Sequence, residues 1–554
     1  MNSSLKHRNH LLSTTTTTLL AASIVAYLFF ALFYWGHLNY SEQMQMFMYN
    51  ETYIKHLLQQ PGGLISIVAR WFTQWYINPW IGAIFPSTIS VLFGFLISKK
   101  ISNRNTYFIS AFLLMVMMHF TLKDHMMAGA MAMLLTTCCL FADIKSPVWR
   151  IASSTAISVI AGPLAGLTYT LSSFHRIYEL LPPLLVFTLF QTTVSSQYSF
   201  IVNFLGCEYY RDSLELRYEP YITGLFIIFI GQFRRVAAKG YVAYVLCALS
   251  VIAFSISAFT SRAEEVVLQY DKLARQQRWN DIIHLADKHP LSSKTAALYT
   301  NLSLAQTGRI GDKLFHYEQF GEECLIPRFM IDPFTAMAGA EVFYWLGLVN
   351  TAERFTFEAQ EAIPNGDKSV RAIKKLAQCN IIKGDYKVAM RYLSMLKQTA
   401  CYRRWATQAE EYIKNDRSDD VAEWSTIRKR MINDDNYFSE RDFDKTLAQL
   451  VVTSSDFGIS YNYLLSLSLL KKDLQMFKEY YRPQVFKDKT PLYYKEAYIY
   501  NMLNDGSLHL KELQKSDHTL ANRIQSFIQM YQANPDDSRL SQFKDMFIWY
   551  VAYK

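Results

Sequence analysis

The distribution of apolar residues divides this chain of 554 residues near residue 260. Before that point, apolar runs recur every 20 to 40 residues or so, close to the spacing of successive membrane spans. After it, charged residues return and no run reaches the roughly 20 apolar residues that a helix needs to cross a bilayer. The pattern predicts an all-α protein with a polytopic helical membrane domain over 1–260 and a second helical domain over 261–554.

About eight spans are predicted in the first domain, several of them short. The stretch 181–206 fits either one tilted helix or two half-crossings, because residues 191–197 in its middle are polar. The predicted spans are 16–36, 79–98, 107–121, 127–142, 151–171, 181–206, 221–233 and 241–260.

Basic residues set the expected orientation, since cytoplasmic loops of membrane proteins are enriched in Lys and Arg. The N-terminus and the loops at 99–106, 144–150 and 234–240 carry such residues and are predicted to be cytoplasmic. The first loop, 37–78, and the domain after residue 260 then lie outside. These features predict a multi-pass protein of a bacterial inner membrane with its second domain in the periplasm. The net charge of +9 is spread over the chain, which favours contact with anionic membrane lipids and gives no reason to expect a nucleic-acid partner.

The second domain shows helices joined by tight turns that recur at roughly 33–47 residues, a period typical of helix-pair repeats. The clearest unit has Gly384, Tyr386, Ala389 and Tyr392 in the order G-x-Y-x-x-A-x-x-Y. This unit resembles a tetratricopeptide repeat. The sequence therefore predicts an α-solenoid of tetratricopeptide-like helix pairs over 261–554.

Titratable residues collect on the predicted outer face of the membrane domain. Glu42 follows the first span, and Asp124 lies in a short turn between the third and fourth spans. A carboxylate at the interface can act as a base towards a hydroxyl, or hold a divalent cation that neutralises a leaving phosphate. Cations nearby can bind the phosphate itself. The cationic candidates are Lys123, His125, His175 and Arg176.

This arrangement resembles the GT-C superfamily of integral-membrane glycosyltransferases. Those enzymes begin with a long first outer loop carrying an acid near its start, and many carry a further acid in the second outer loop. The resemblance implies catalytic roles for Glu42 and Asp124, with a possible cation such as Mg²⁺ or Mn²⁺ held by the same two residues. The family usually has paired acids at the first position, whereas here Gln43 follows Glu42.

The combination with a helical-repeat domain resembles the transmembrane-and-tetratricopeptide O-mannosyltransferases. It is also similar to polytopic repeat proteins of Bacteroidota with Glu-Gln-x-Gln-x-Phe and Gly-Gly-Leu in the first loop. The resemblance implies protein glycosylation in the cell envelope, with a polyprenyl-linked glycan as donor and a periplasmic protein or glycan as acceptor bound by the repeats. The alternative is a non-catalytic, membrane-anchored scaffold whose repeats assemble envelope proteins.

The orientation is tested by a reporter fusion. A periplasm-dependent alkaline phosphatase fused after Thr300 is expected to be active, because the basic loops keep the opposite side in the cytoplasm. A cytoplasm-dependent reporter fused at the same site serves as the control. An inactive phosphatase with an active cytoplasmic reporter would reverse the assignment.

Overall fold

A computed structural model of the chain describes residues 17–99, 101, 104–120, 127–194, 200–206, 218–328, 332–363, 367–432, 442–456, 458–486, 489–509, 513–515 and 517–554. Within these ranges the secondary structure is helical and no strand is present, so the predicted all-α class is confirmed. The chain forms two compact units. The first comprises Met1–Leu268, Ile363–Lys374 and Tyr392–Gln408; the second comprises Gln269–Ala362, Lys375–Arg391 and Ala409–Lys554.

The N-terminal part of the first unit contains the apolar helices. They are α1 (Thr17–Phe33), α2 (Trp35–Gln43), α3 (Glu51–Leu58), α4 (Gly63–Thr73), α5 (Pro79–Gly82), α6 (Ile84–Lys99), α7 (Arg104–Met117), α8 (Met127–Phe141), α9 (Pro147–Ala161), α10 (Pro163–Ser172), α11 (Leu181–Leu189), α12 (Phe200–Leu205), α13 (Glu219–Gln232), α14 (Arg234–Ala237) and α15 (Gly240–Arg275).

Two stretches of helix among the described residues are long and apolar enough to cross a membrane, namely Pro79–Lys99, which comprises α5 and α6, and α15. A third crossing is possible if α1 and α2, which meet at an angle of 67°, form one broken span. The remaining apolar helices are shorter. At 1.5 Å per residue, the 15 residues of α8 extend about 22 Å, less than the roughly 30 Å of a bilayer core.

The predicted span at 151–171 is instead a helical hairpin. Gly162, at φ 92° and ψ 158°, adopts a conformation open mainly to glycine, and Pro163 starts the next helix. The helices α9 and α10 therefore turn back on each other, and the hydroxyls of Ser154 and Thr170 meet at 2.6 Å. Because the chain returns, Glu179 accepts a hydrogen bond from Arg150, which lies near the start of α9.

The stretch 181–206, for which two structures were predicted as alternatives, also doubles back. The ring of Phe187 in α11 lies 4.7 Å from that of Phe200 in α12. The side-chain amide of Asn203 donates to Gln191 Oε1 at 2.9 Å. The described residues thus fit the alternative of two short helices rather than one continuous helix.

Most of the second half of the chain consists of short helices in antiparallel pairs. They are α16 (Trp279–Lys288), α17 (Lys294–Gln306), α18 (Ile310–Lys313), α19 (Pro333–Leu346), α20 (Val349–Glu361), α21 (Val370–Lys383), α22 (Tyr386–Leu396), α23 (Arg403–Lys414), α24 (Ala422–Arg430), α25 (Phe443–Thr453), α26 (Gly458–Leu470), α27 (Leu474–Tyr480), α28 (Leu492–Asn504), α29 (His518–Ala533) and α30 (Phe547–Tyr553).

Most of the turns read from the sequence coincide with helix breaks. The turns expected at Gly308, Gly384-Asp385, Lys472-Asp473 and Asp505-Gly506 each begin within two residues of a helix end. The turn expected near Val349-Asn350 is misplaced, because those two residues begin α20 and the break lies at Gly347 and Leu348. In the repeat-like unit, Ala389 is fully buried, as expected for a small residue at a helix–helix contact. Its neighbour Val388 remains 39% exposed, so the two positions face different surroundings on the same turn of α22.

Enlarging Ala389 is expected to destabilise the protein. Ala389→Leu forces extra methyl groups into a filled contact and should cost about 1–3 kcal/mol. Val388→Leu is the matched control, because its side chain has room in solvent. Thermal unfolding of the detergent-solubilised chain, followed by circular dichroism, should show a lower midpoint for the first variant only. Equal midpoints would mean that Ala389 is not at a packed contact.

Glu496 in α28 predicts a pH-dependent stability. Burial raises the pKa of this carboxyl to about 7, against the opposing effects of the Phe547 amide and Arg523, while Asp545 adds to the rise. Between about pH 4.5 and 7 the unfolded chain loses this proton and the folded chain keeps it. The contribution of Glu496 to stability is therefore greatest below that interval and falls by about 3 kcal/mol as pH rises through it.

Glu496→Gln removes this titration. The midpoint of the variant relative to the parent should rise as pH increases from about 4.5 to above 7, because only the parent then carries a buried charge. Exposed Glu479→Gln provides the control, with a constant difference expected. A difference for Glu496→Gln that does not change with pH would contradict the assignment.

Candidate functional site

Glu42 lies at the end of α2, the short helix that the 67° bend directs away from α1. It was predicted to follow the membrane segment, where an acid is usually solvated, yet the residue is only 2% exposed. The hydroxyl of Tyr402 donates to Glu42 Oε2 at 3.2 Å, and the side-chain amide of Gln43 donates to the same oxygen. The Gln43 amide also reaches the Tyr402 hydroxyl at 2.9 Å. Glu42, Gln43 and Tyr402 therefore form one closed group of hydrogen bonds.

Backbone contacts fix this group to the later segments of the same unit. The Ser369 hydroxyl donates to the Gln43 carbonyl at 2.7 Å, and the Val370 amide donates to the Gln45 carbonyl at 3.3 Å. Further along the loop, the Tyr49 amide donates to the Gln398 carbonyl at 2.8 Å. Polar groups of the first loop thus contact later segments of the first unit. The mixture of polar and apolar residues in this loop is therefore explained without placing the loop on the bilayer surface.

A buried ion pair holds the second half of the loop. Arg70 in α4 donates to both carboxylate oxygens of Asp367, at 2.7 and 3.0 Å. The Arg70 side chain is 4% exposed and that of Asp367 is 14% exposed. Such bidentate pairs are directional, so α4 is fixed in orientation as well as position.

Two amide oxygens near Glu42 lack a hydrogen-bond partner. They are Oε1 of Gln45 and Oε1 of Gln74, on residues that are 2% and 7% exposed. Their orientation follows from their NH₂ groups, which donate to the Arg70 carbonyl at 3.3 Å and to the Trp71 carbonyl at 2.9 Å. Glu42, Gln45 and Gln74 line one crevice of about 10 Å³, the size of a single water-sized site.

Cys401 also lines this crevice, and the charge of Glu42 affects the pKa of its thiol. Its thiol donates to the Gln74 carbonyl at 3.3 Å. Burial and the nearby charge of Glu42 raise the pKa of Cys401 to about 11. The thiol therefore stays protonated at neutral pH and is a poor nucleophile.

Among the described residues, the predicted candidates His175 and Arg176 do not line this crevice. His175 and Arg176 are exposed, and the His175 amide donates to Glu179, the partner of Arg150. Because of the hairpin at Gly162, these residues lie beside the segment that was predicted to be cytoplasmic. Lys123, Asp124 and His125 lie outside the described residues.

The oxygen donors at Glu42 suit a hard cation such as Mg²⁺ or Mn²⁺ in chemical type. They supply a single carboxylate, however, and the described part of the chain contains no group of three or more His, Cys, Asp and Glu side chains placed to hold a metal. Glu42, Gln45 and Gln74 would provide the ligands of a cation there, and a second carboxylate would have to come from elsewhere.

Sequence reasoning missed Gln43, Gln45, Gln74 and Tyr402. The available signal was weak: Gln45 lies between Met44 and Met46, and Gln43 and Gln74 each have an apolar residue on one side. Tyr402 is 360 residues from Glu42, and nothing in its local sequence links it to the loop.

In the part of the chain that the structure describes, the fold and site define a helical protein with two helices of membrane-spanning length and a buried acid at the end of the bent α1–α2 pair. The chain belongs to DUF6057, a family of unknown function whose sequence profile matches residues 9–554. No curated protein and no solved structure matches the chain.

Proposed function

We propose that this protein is a membrane-embedded glycosyltransferase of the GT-C type that takes sugar from a polyprenyl-linked donor. Glu42 is its catalytic carboxylate, and the helical repeats of the second half bind the acceptor. The proposal includes a multi-pass inner-membrane location with the repeats in the periplasm.

The observation that carries the proposal is the set of acceptor oxygens around Glu42. Leaving a buried amide oxygen without a partner costs about 1–3 kcal/mol, so two of them on one crevice are expensive for a purely structural loop. Unsatisfied buried acceptors of this kind are typical of places that take up water, an ion or a ligand donor. One water molecule or one bare cation in this crevice would satisfy both Gln45 and Gln74, and the hydroxyl of a sugar would satisfy one of them.

The chemistry of the group is consistent with a base. Tyr402 and Gln43 both donate to Oε2 of Glu42, which orients the carboxylate and stabilises its charge. A positioned carboxylate can take the proton of an acceptor hydroxyl as that oxygen attacks the sugar. Lys374 lies over the ring of Tyr402, at 6.0 Å from its centroid, and adds positive potential nearby.

A second candidate is the non-catalytic scaffold, and a different observation favours it. The hydrogen bonds from Ser369, Val370 and Gln398 make the first loop part of a folded interface within the first unit. In that case Glu42 is an architectural residue, and the repeats alone carry the function by assembling envelope proteins.

The variants Glu42→Gln and Glu51→Gln separate these functions. Both remove one carboxylate from the same loop, but the Glu51 side chain is 79% exposed and pairs with the exposed Lys55 at 2.6 Å. If Glu42 is catalytic, Glu42→Gln should abolish transfer of radiolabelled sugar from polyprenyl-linked donor in membranes that contain as much of the protein as the parent. Glu51→Gln should retain transfer.

Tyr402→Phe separates the effect of losing the hydrogen bond from the effect of losing the carboxylate. Tyr402→Phe removes the hydrogen bond to Glu42 but keeps the carboxylate. A catalytic role therefore predicts that transfer falls further in Glu42→Gln than in Tyr402→Phe, whereas a scaffold role predicts the same transfer in both. Normal transfer in Glu42→Gln membranes would exclude the enzymatic role for this acid.

A further inference from the structure

The second unit contains a pocket of about 310 Å³ that no part of the site above uses. One wall is the segment 315–319, which follows α18, and the other is formed by residues of α30 and the turn before it. A volume near 300 Å³ lies at the lower end of the range for small-molecule sites.

Aromatic side chains form the inner part of this pocket. Phe315 and Tyr550 are both 4% exposed, and their rings lie 4.8 Å apart. Trp549 is partly buried beside them. Two tyrosines, Tyr317 and Tyr550, line the pocket, and both hydroxyls already have partners. Tyr550 donates to the Leu470 carbonyl at 3.1 Å, and Tyr317 donates to Asp287 at 2.7 Å. Phe315 and Tyr550 are nearly covered and form the floor of the pocket, so the ring surface open to a ligand belongs mainly to Trp549.

Charged groups of both signs surround these rings. Lys554 pairs with Glu318 at 2.9 Å, and both side chains are substantially exposed. Lys544 lies over the Trp549 ring, 5.9 Å from its centroid. Asp545 completes the lining and binds Arg523 at 2.7 Å. Two lysines that can donate and two carboxylates that can accept hydrogen bonds thus lie around the aromatic rings.

We propose that this pocket binds a neutral saccharide unit. A pyranose has an apolar face of C–H groups, which packs on aromatic rings, and a periphery of hydroxyls, each of which can both donate and accept hydrogen bonds. Lys544 and Lys554 can donate to those hydroxyls, while Glu318 and Asp545 can accept from them.

Other ligand classes fit less well. A phosphate ester would meet the carboxylates of Glu318 and Asp545 beside the two lysines. A lipid chain would strand the four charges against an apolar surface. An extended peptide needs a groove with free backbone partners, whereas this is a compact concavity.

The inference rests on the proposed function in one respect, because it makes a saccharide the acceptor that the second unit binds. Binding and transfer are measured separately, so that one can fail without the other. Saturation-transfer NMR on the detergent-solubilised full chain would use glucose, mannose, galactose and N-acetylglucosamine as probes, together with an acidic tetrapeptide.

At least one of these sugars is expected to receive saturation from the protein, and Trp549→Ala should weaken its binding about tenfold through loss of the ring surface. Lys544→Ala should weaken binding several-fold without disturbing the aromatic interior. Tyr498→Ala is the control, since Tyr498 is a 40% exposed aromatic residue outside the pocket lining.

Glu42→Gln should leave sugar binding unchanged even where transfer is lost. Transfer lost in Glu42→Gln with sugar binding retained supports both proposals, whereas normal transfer in that variant with retained sugar binding removes only the catalytic role of Glu42. Absence of saturation transfer to all four sugars would overturn the saccharide site. Saturation transfer to the peptide alone would also overturn the saccharide site. The same holds for sugar signals that are unchanged in both Trp549→Ala and Lys544→Ala.

Discussion

The carboxylate of Glu265 fixes the direction that the chain takes after α1. It accepts hydrogen bonds from the amides of Gly36 and His37 at 2.8 and 3.0 Å, and its Oε2 lies 2.6 Å from His37 Nδ1. A side chain at Gly36 would clash with Glu265, since its Cβ would come within 2.6 Å of that carboxylate. Burial by itself lowers the pKa of His37, but the hydrogen bonds and charges of Glu264 and Glu265 raise it above its ordinary value. This contact fixes α2, and with it the position of Glu42.

The sequence predicted the helices well and their long-range partners poorly. Helix periodicity and turn residues such as Gly384 are local signals, and the structure places breaks where they fall. The burial of Glu42 depends on Tyr402 and Ser369, more than 300 residues away, and no local pattern encodes such a contact. An acid after a membrane helix could be recognised as a candidate; its hydrogen-bond partners could not.

The hairpin at Gly162 shows a different kind of error. The apolar run 151–171 has the composition and length of a span, and the Gly-Pro pair in its middle was the sign that it would break. Hydroxyl pairs such as Ser154 and Thr170 then satisfy each other across the two short helices. The position of His175 and Arg176 beside Glu179 follows from this reversal, because an uninterrupted helix would have carried them to the opposite end.

The first unit is built from three separate segments of the chain, so its last part is synthesised late. Its main segment ends at Leu268, but its last segment ends at Gln408, about 140 residues later. At the usual rate of roughly 5–20 residues per second, the ribosome needs about 7–28 s to supply that remainder. For this interval the polar side of the first loop, with Gln43 and Arg70, has neither Tyr402 nor Asp367 to bind. The nascent chain therefore passes through a stage in which buried polar groups are still open to other partners, and a chaperone could act on it then.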